Sequence, residues 1–211
     1  MKVEQVDVMG SDLSVVNAAR VSYAKSKDKL DPSDEKLIKY LADHNHWSPF
    51  AHTFLSFRIE APIFVARQLV KHQIGLVWNE ESRRYISDTP KIHKIKQWRE
   101  KPQNSKQGSG DQIIIDDTLF NQIQMHMQNS LLLYDKLIQA NVAPEQARAV
   151  LPLSTYTSWI WSGTLYAFAR VCKLRLDDHA QKETRDIAHA LDVCCMDSFP
   201  LSWKYLKNEK S

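Results

Sequence analysis

The sequence predicts an α+β fold with much helix, and three observations carry that prediction. Residues 3–8, 52–60 and the run STYTSWIW are short and rich in β-formers, and read as strands. Long stretches between and after them repeat their apolar residues on a helical period, most clearly 113–140, 165–174 and 180–195. Neither an internal repeat nor a Pro/Gly/Ser linker divides the chain, so residues 1–211 read as a single domain.

The elements follow in order. Residues 3–8 alternate weakly, and Asn17 to Tyr23 follow on a helical period. Asp31-Pro32 is a helix start, with Asp31 as cap and Pro32 in the first turn. Leu37, Ile38 and Leu41 give that helix its apolar stripe, ending near His44. Pro62 opens a helix over IFVARQLVKHQ, which Gly75 to Trp78 breaks, and NEESRRYI then begins a polar element. Residues 100–111 form a Ser/Gly/Gln loop. Pro144 starts a helix that Pro152 stops.

Bulk properties exclude several classes. At 43% hydrophobic the chain can build a core, yet its apolar runs are too short to span a bilayer. No apolar stretch with a cleavage site follows the first residues, so no secretory signal is expected. The net charge of +3 is mild and spread, which argues against a nucleic-acid partner. Lys91 to Lys101 is locally basic and reads as a solvated surface segment. Cys172, Cys194 and Cys195 have neither disulfide nor zinc spacing, and their apolar neighbours suggest core-facing helix positions. A reducing cytoplasm is expected.

Chemistry concentrates in two places. Arg67 to Tyr85 puts Gln68 and His72 four residues apart on a helix, followed by Asn79, Glu80, Ser82, Arg83 and Arg84. Forked arginine donors, a compact hydroxyl and an amide suit a ligand with a phosphate and a planar polar ring. A charged amphipathic helix, with Ser82 capping the next element, accounts for the same residues. The second cluster is Arg148, Arg170, Arg175 and His179, with an anion site possible where a helix begins after LRLDD. The alternative has Asp178 capping, with Glu183 and Arg185 solvated. No Cys or carboxylate cluster adjoins His44, His46 and His52, so they read as a pocket wall or surface rather than a metal site. No GxGxxG or P-loop occurs, so any dinucleotide must be held by side chains and helix ends.

The runs SPFAHTFLSFRIEAPIFVARQLVKHQIGLVWNEESRRY, ARAVLPLSTYT and LRLDDHAQKETRDIA, in this order, resemble the flavin-dependent thymidylate synthases. The N-terminal VDVMGSDLSVVNAARVSY fits the same family, and only 86–112 falls outside the likeness. The resemblance implies mixed helices with a central antiparallel-type sheet. It also implies a cytoplasmic homotetramer with active sites between subunits, and no nucleic-acid or membrane partner. The implied reaction makes dTMP from dUMP with FAD, NADPH and 5,10-methylenetetrahydrofolate. By matching position, dUMP contacts are Gln68, Lys71, Glu80, Ser82, Arg83, Arg84, Arg148 and Arg175. Arg175 is the implied catalytic residue, polarising the pyrimidine, and Ser82 binds substrate rather than attacking it. Implied FAD contacts are Ser48, Lys71, His72, Gln73 and Glu80, with His46 and His179 near flavin and folate. The family signature Arg-His-Arg stands here as Lys71-His72-Gln73; lysine keeps charge without the planar fork, and glutamine loses the charge. The family's Asn-x-Arg flavin pair falls on Thr164 and Tyr166, with Arg170 placed to substitute. A degenerate relative that holds nucleotide without turnover is the alternative that Lys71 and Gln73 leave open.

Overall fold

The computed structural model describes residues 1–102 and 108–207. Four antiparallel strands form the central sheet in the order β1-β2-β6-β3. These are β1 (Lys2–Met9), β2 (Phe54–Pro62), β3 (Leu76–Glu80) and β6 (Tyr156–Thr164). A small hairpin of β4 (Trp98–Arg99) and β5 (Gln112–Ile113) stands apart from it. The helices are α1 (Asp12–Arg20), α2 (Pro32–Asp43), α3 (Ile63–Leu69), α4 (Asp117–Gln139), α5 (Pro144–Ala147), α6 (Leu165–Arg175), α7 (Lys182–Ser198) and α8 (Pro200–Lys207).

Period-two burial shows why β2 and β6 are the central strands. Leu55, Phe57 and Ile59 of β2 are buried, as are Trp159 and Trp161 of β6, while the residues between them face outward. The buried face meets α3, α6 and α7. Burying each large side chain is worth about 1.5–3 kcal/mol. Aromatic contacts knit the layers: Trp78 stacks on Trp159 at 4.3 Å between ring centroids, and Trp161 meets Trp78 and Phe168 edge-on at 5.6 and 5.4 Å. Gly163 lets β3 come close: a Cβ there would sit 2.4 Å from the carbonyl oxygen of Gly75. Gly75 itself has φ +75°, a left-handed turn that returns the chain into β3.

Several boundaries move from their sequence expectation. The Pro62-led helix ends at Leu69 rather than Gln73, so Lys71, His72 and Gln73 lie in the turn that follows. Asn79 and Glu80 belong to edge strand β3 rather than to a separate polar element. The strand placed at 52–60 runs from Phe54 to Pro62, behind a 3-10 turn at Ser48–His52. The helix placed from 113 begins at Asp117, because the Asp116 side chain accepts from the Leu119 amide and caps it. Asp31 caps α2 as expected, accepting from Ser33 N at 2.8 Å. Helix α8 has a long-range support: the buried carboxylate of Asp12 accepts from the Leu201 and Ser202 amides at 2.9 and 2.8 Å. Cys172 and Cys195 are buried and Cys194 half-buried; all three are free thiols. Part of the 100–111 loop, residues 103–107, lies outside the described residues.

Candidate active site

Arg175, in the last turn of α6, faces the turn after α3. Its Nε donates to His72 Nε2 at 2.9 Å, and its Nη2 to the Gln68 carbonyl at 3.4 Å. That bond requires an acceptor at Nε2, so His72 is neutral with its proton on Nδ1. The environment enforces this. Burial, then the charges of Arg175 and Arg170, push the His72 pKa down to about 4. Beside this pair opens a cleft of about 510 Å³ lined by Gln68, Arg175, His179, Gln181, Arg99 and Ser109. His179 is exposed, and its Nδ1 lies 2.9 Å from Asp177. A smaller cleft of about 110 Å³ adjoins it, bounded by Lys71, His72, Gln73, Arg170 and Leu174.

The other candidate residues gather past the far end of β3. Glu80 accepts from Thr157 Oγ1 at 2.7 Å and from Trp78 Nε1 at 3.1 Å, which fixes its carboxylate. The Ser82 hydroxyl accepts from the Arg84 amide at 3.3 Å. Arg84 pairs with Glu145 at 3.2 Å, and Arg148 Nε reaches the Glu145 carbonyl, also at 3.2 Å. Ser82, Arg84 and Arg148 thus form one exposed basic group. Five residues of strand separate it from the turn carrying His72, roughly 14 Å along β3. Among the described residues, no hydrogen bond or ion pair joins the two groups. Arg83 points elsewhere, donating to the Asp88 carbonyl and lining a third cleft with Glu60, Glu81 and Tyr156. Burial raises the Glu81 pKa there, and the carboxylates of Glu80 and Glu60 add to it against the opposing pull of Arg83.

Of the residues matched to flavin contacts, Lys71, His72, Gln73 and Arg170 line the smaller cleft. Thr164 caps α6, its hydroxyl accepting from the Ala167 amide at 3.1 Å. The Tyr166 ring lies 6.2 Å from Trp47, next to exposed Ser48. His46 is exposed and edge-on to Tyr40 at 5.7 Å. No group of three His, Cys, Asp or Glu among the described residues could hold a metal.

Three sequence readings need correction. Glu183 is buried, not solvated, and forms a two-pronged ion pair with Arg99 at 2.8 and 3.0 Å. Arg99 is therefore no part of a solvated basic segment. Asp178 does not cap α7, which begins after Gln181; its carboxylate pairs with Arg185 at 2.7 Å. Nothing in the spacing of Arg99 signals its partner 84 residues away.

The neutral state of His72 has a thermodynamic consequence. An unfolded chain protonates this histidine near 6.5, whereas the folded chain holds it neutral to about 4. In that window the unfolded state binds the extra proton, so stability is lost as pH falls from 6.5 towards 4. The full linkage would be about 3 kcal/mol; partial exposure and solvent screening reduce it to about 1–2 kcal/mol. Urea midpoints at pH 7 and pH 5 should differ by more in the native protein than in His72→Gln. Equal differences would refute this role.

The chain is similar to known proteins over nearly its whole length. Residues 4–201 match the family model described as thymidylate synthase complementing protein. A flavin-dependent thymidylate synthase from Kosmotoga olearia is 36% identical over 208 residues, covering 96% of this chain and 88% of the relative. One from Thermosipho africanus is 39% identical over 188 residues, covering 87% and 80%. The crystal structure of a UMP/dUMP methylase, PolB from Streptomyces cacaoi, bound with 5-Br dUMP superposes with a TM-score of 0.86. It is 30% identical and covers 99% of this chain and 95% of its own. The same methylase bound with 5-Br UMP gives a TM-score of 0.80 at 28% identity. The chain belongs to the flavin-dependent thymidylate synthase family.

Proposed function

We propose that this protein methylates dUMP to dTMP as one domain spanning residues 1–211, using FAD, NADPH and 5,10-methylenetetrahydrofolate. The observation that carries the reading is Arg175, held between neutral His72 and the Gln68 carbonyl at the wall of a cleft. A guanidinium fixed by two acceptors is preorganised to stabilise negative charge developing on a pyrimidine ring. Because His72 takes only Nε and Gln68 one Nη, the remaining donors are free for a ligand. Gln68 presents an amide beside them. Ser82, Arg84 and Arg148 supply a hydroxyl and two cations suited to a nucleotide phosphate.

The residues at the smaller cleft fit a flavin. Lys71 and Arg170 carry the charge a diphosphate needs, while His72 and Gln73 offer polar contacts at the cleft. Thr164, Tyr166, Ser48 and His46 are taken as further flavin contacts, and Glu80, at the other end of β3, would reach the flavin of a neighbouring subunit. FAD, when bound, supplies the hydride chemistry. The protein's part is to hold the pyrimidine and the folate, near Arg175 and His179, against it.

Two features support a homotetramer with shared sites. The basic group past β3 and the Arg175 cleft are separate within one chain, so one subunit's phosphate group completes another's cleft. Helix α4 also leaves Leu119, Phe120, Met125, Leu132 and Leu133 between 43% and 60% exposed, an apolar face that a second copy would cover. Leu132→Lys with Leu133→Lys is expected to lower the mass measured by light scattering; an unchanged mass would remove α4 from the interface. We place the protein in the cytoplasm without a membrane or nucleic-acid partner; no described helix is long and apolar enough to cross a membrane.

The decisive experiment supplies NADPH and the folate to the purified protein with dUMP tritiated at C5. Tritium release, together with flavin absorbance that NADPH bleaches, is expected. Colourless protein that takes up no FAD and releases no tritium would overturn the proposal. Dinucleotide-free binding of dUMP with no bleaching would favour the degenerate relative instead. The likeness to a UMP/dUMP methylase favours a second reading, in which UMP is also accepted. UMP tritiated at C5 tests it in the same assay.

A further inference from the structure

The family model spans residues 4–201, so the segment 86–112 that the sequence resemblance left out lies within the family match; there Arg99 of β4, with Gly108 and Ser109, forms one wall of the Arg175 cleft. Gly108 abuts the backbone of His179, and Ser109 accepts from Arg99 Nε at 2.7 Å. From Arg99 a continuous line of hydrogen bonds runs inward. Its Nη2 holds both oxygens of Glu183; Glu183 Oε2 accepts from Gln181 Nε2 at 2.9 Å. Gln181 Oε1 accepts from Gln68 Nε2, and Gln68 Oε1 accepts from Thr184 Oγ1 at 3.2 Å. The Gln68 carbonyl in turn receives Arg175.

The carboxylate sets the sense of this line. An ionised Glu183 can only accept, so Gln181 must turn its NH₂ towards it. Its carbonyl end then faces Gln68, whose NH₂ must point back, leaving the Gln68 oxygen for the Thr184 hydroxyl. One charge at the start therefore dictates the orientation of two amides that would otherwise flip freely. Burial pushes the Glu183 pKa up, but the bonds from Arg99 and Gln181 outweigh that and hold it below its ordinary value. Without Arg99 the buried carboxylate would lose its charge partner, and the order of the line with it.

We propose that Arg99 is a positioning residue, acting through Glu183 and Gln181 to fix the Gln68 amide and the Arg175 guanidinium for the pyrimidine. The proposal rests on the dUMP reading above. Arg99 touches no substrate in this scheme; its work is to keep the amide line in one sense.

Isothermal titration of dUMP into the intact assembly tests it. Arg99→Met, which keeps most of the aliphatic stem, is expected to weaken dUMP binding about tenfold, the worth of one charged hydrogen bond. Glu183→Gln, nearly isosteric, should weaken it similarly, and the double variant should bind no worse than Glu183→Gln alone. Arg99→Lys should recover most of the affinity by restoring the charge. A merely structural role predicts lower melting temperatures with unchanged dissociation constants. Dissociation constants within about twofold of native, or losses that multiply in the double variant, would overturn the proposal. If the native protein fails to bind dUMP, the proposed function falls, and the line is read independently by NMR. The side-chain amide protons of Gln68 and Gln181 are expected to shift and exchange faster in Arg99→Met and in Glu183→Gln. Unchanged resonances in both variants would overturn the proposal whatever dUMP does.

Discussion

Arg175→Ala is expected to reduce dTMP formation about 10³-fold, the scale of losing one preorganised charge-stabilising donor. The loss belongs to the reaction rather than to the fold. Arg175 is half-buried at the end of α6, and its removal leaves His72 Nε2 and one carbonyl without their donors. Both are near enough to solvent for water to replace it, so the stability cost is about 1 kcal/mol. Circular dichroism and bound flavin should therefore match the native protein while tritium release collapses. A second signature separates this role from general damage. The charge of Arg175 is one cause of the lowered His72 pKa, so in the variant that pKa should move back up. Turnover within tenfold of native would show that Arg175 is not the group that stabilises the ring.

Trp161→Ala is expected to destabilise the fold by about 3–5 kcal/mol. Trp161 is fully buried, and its ring touches Trp78 on β3 and Phe168 on α6. Phe168 continues the contact to Phe57 at 5.0 Å. One side chain thus fills the space between the strand and the helix that present the two candidate half-sites. Trp161→Phe should cost far less, under about 1.5 kcal/mol. The indole nitrogen has no hydrogen-bond partner among the described residues, so losing it forfeits no bond. Urea denaturation of both variants checks the pair. Equal losses would mean that the ring's volume is not what matters.

Much of this architecture was legible before the structure, where a local signal was strong. Asp31-Pro32 announced α2, and STYTSWIW announced β6, because capping and β-branching act within a few residues. Strand β3 was not legible. It lies at the sheet edge, and its polar residues, which suit an edge, hide its alternation. The two-residue strands β4 and β5 are too short to carry any period. Helix α8 is held by Asp12, a partner 189 residues away. The same limit governs the candidate site. Lys71 to Tyr85 read as one neighbourhood because they are close in sequence, and the hidden strand between them sets its ends apart. The pairing of Arg175 with His72 spans 103 residues and was not visible, since the family match marked each residue separately, and Arg99 and Glu183 had no local signal at all.

Strand β3 also acts as a ruler. An extended chain advances about 3.4 Å per residue and alternates sides, so adding or removing one residue within it would both shift Glu80 and turn it to the opposite face. The bend before the strand is tied to the ladder as well, the Gly75 carbonyl accepting from the Thr164 amide at 3.1 Å. Length variation in related chains would then fall outside residues 72–80, leaving the distance between the two functional ends untouched.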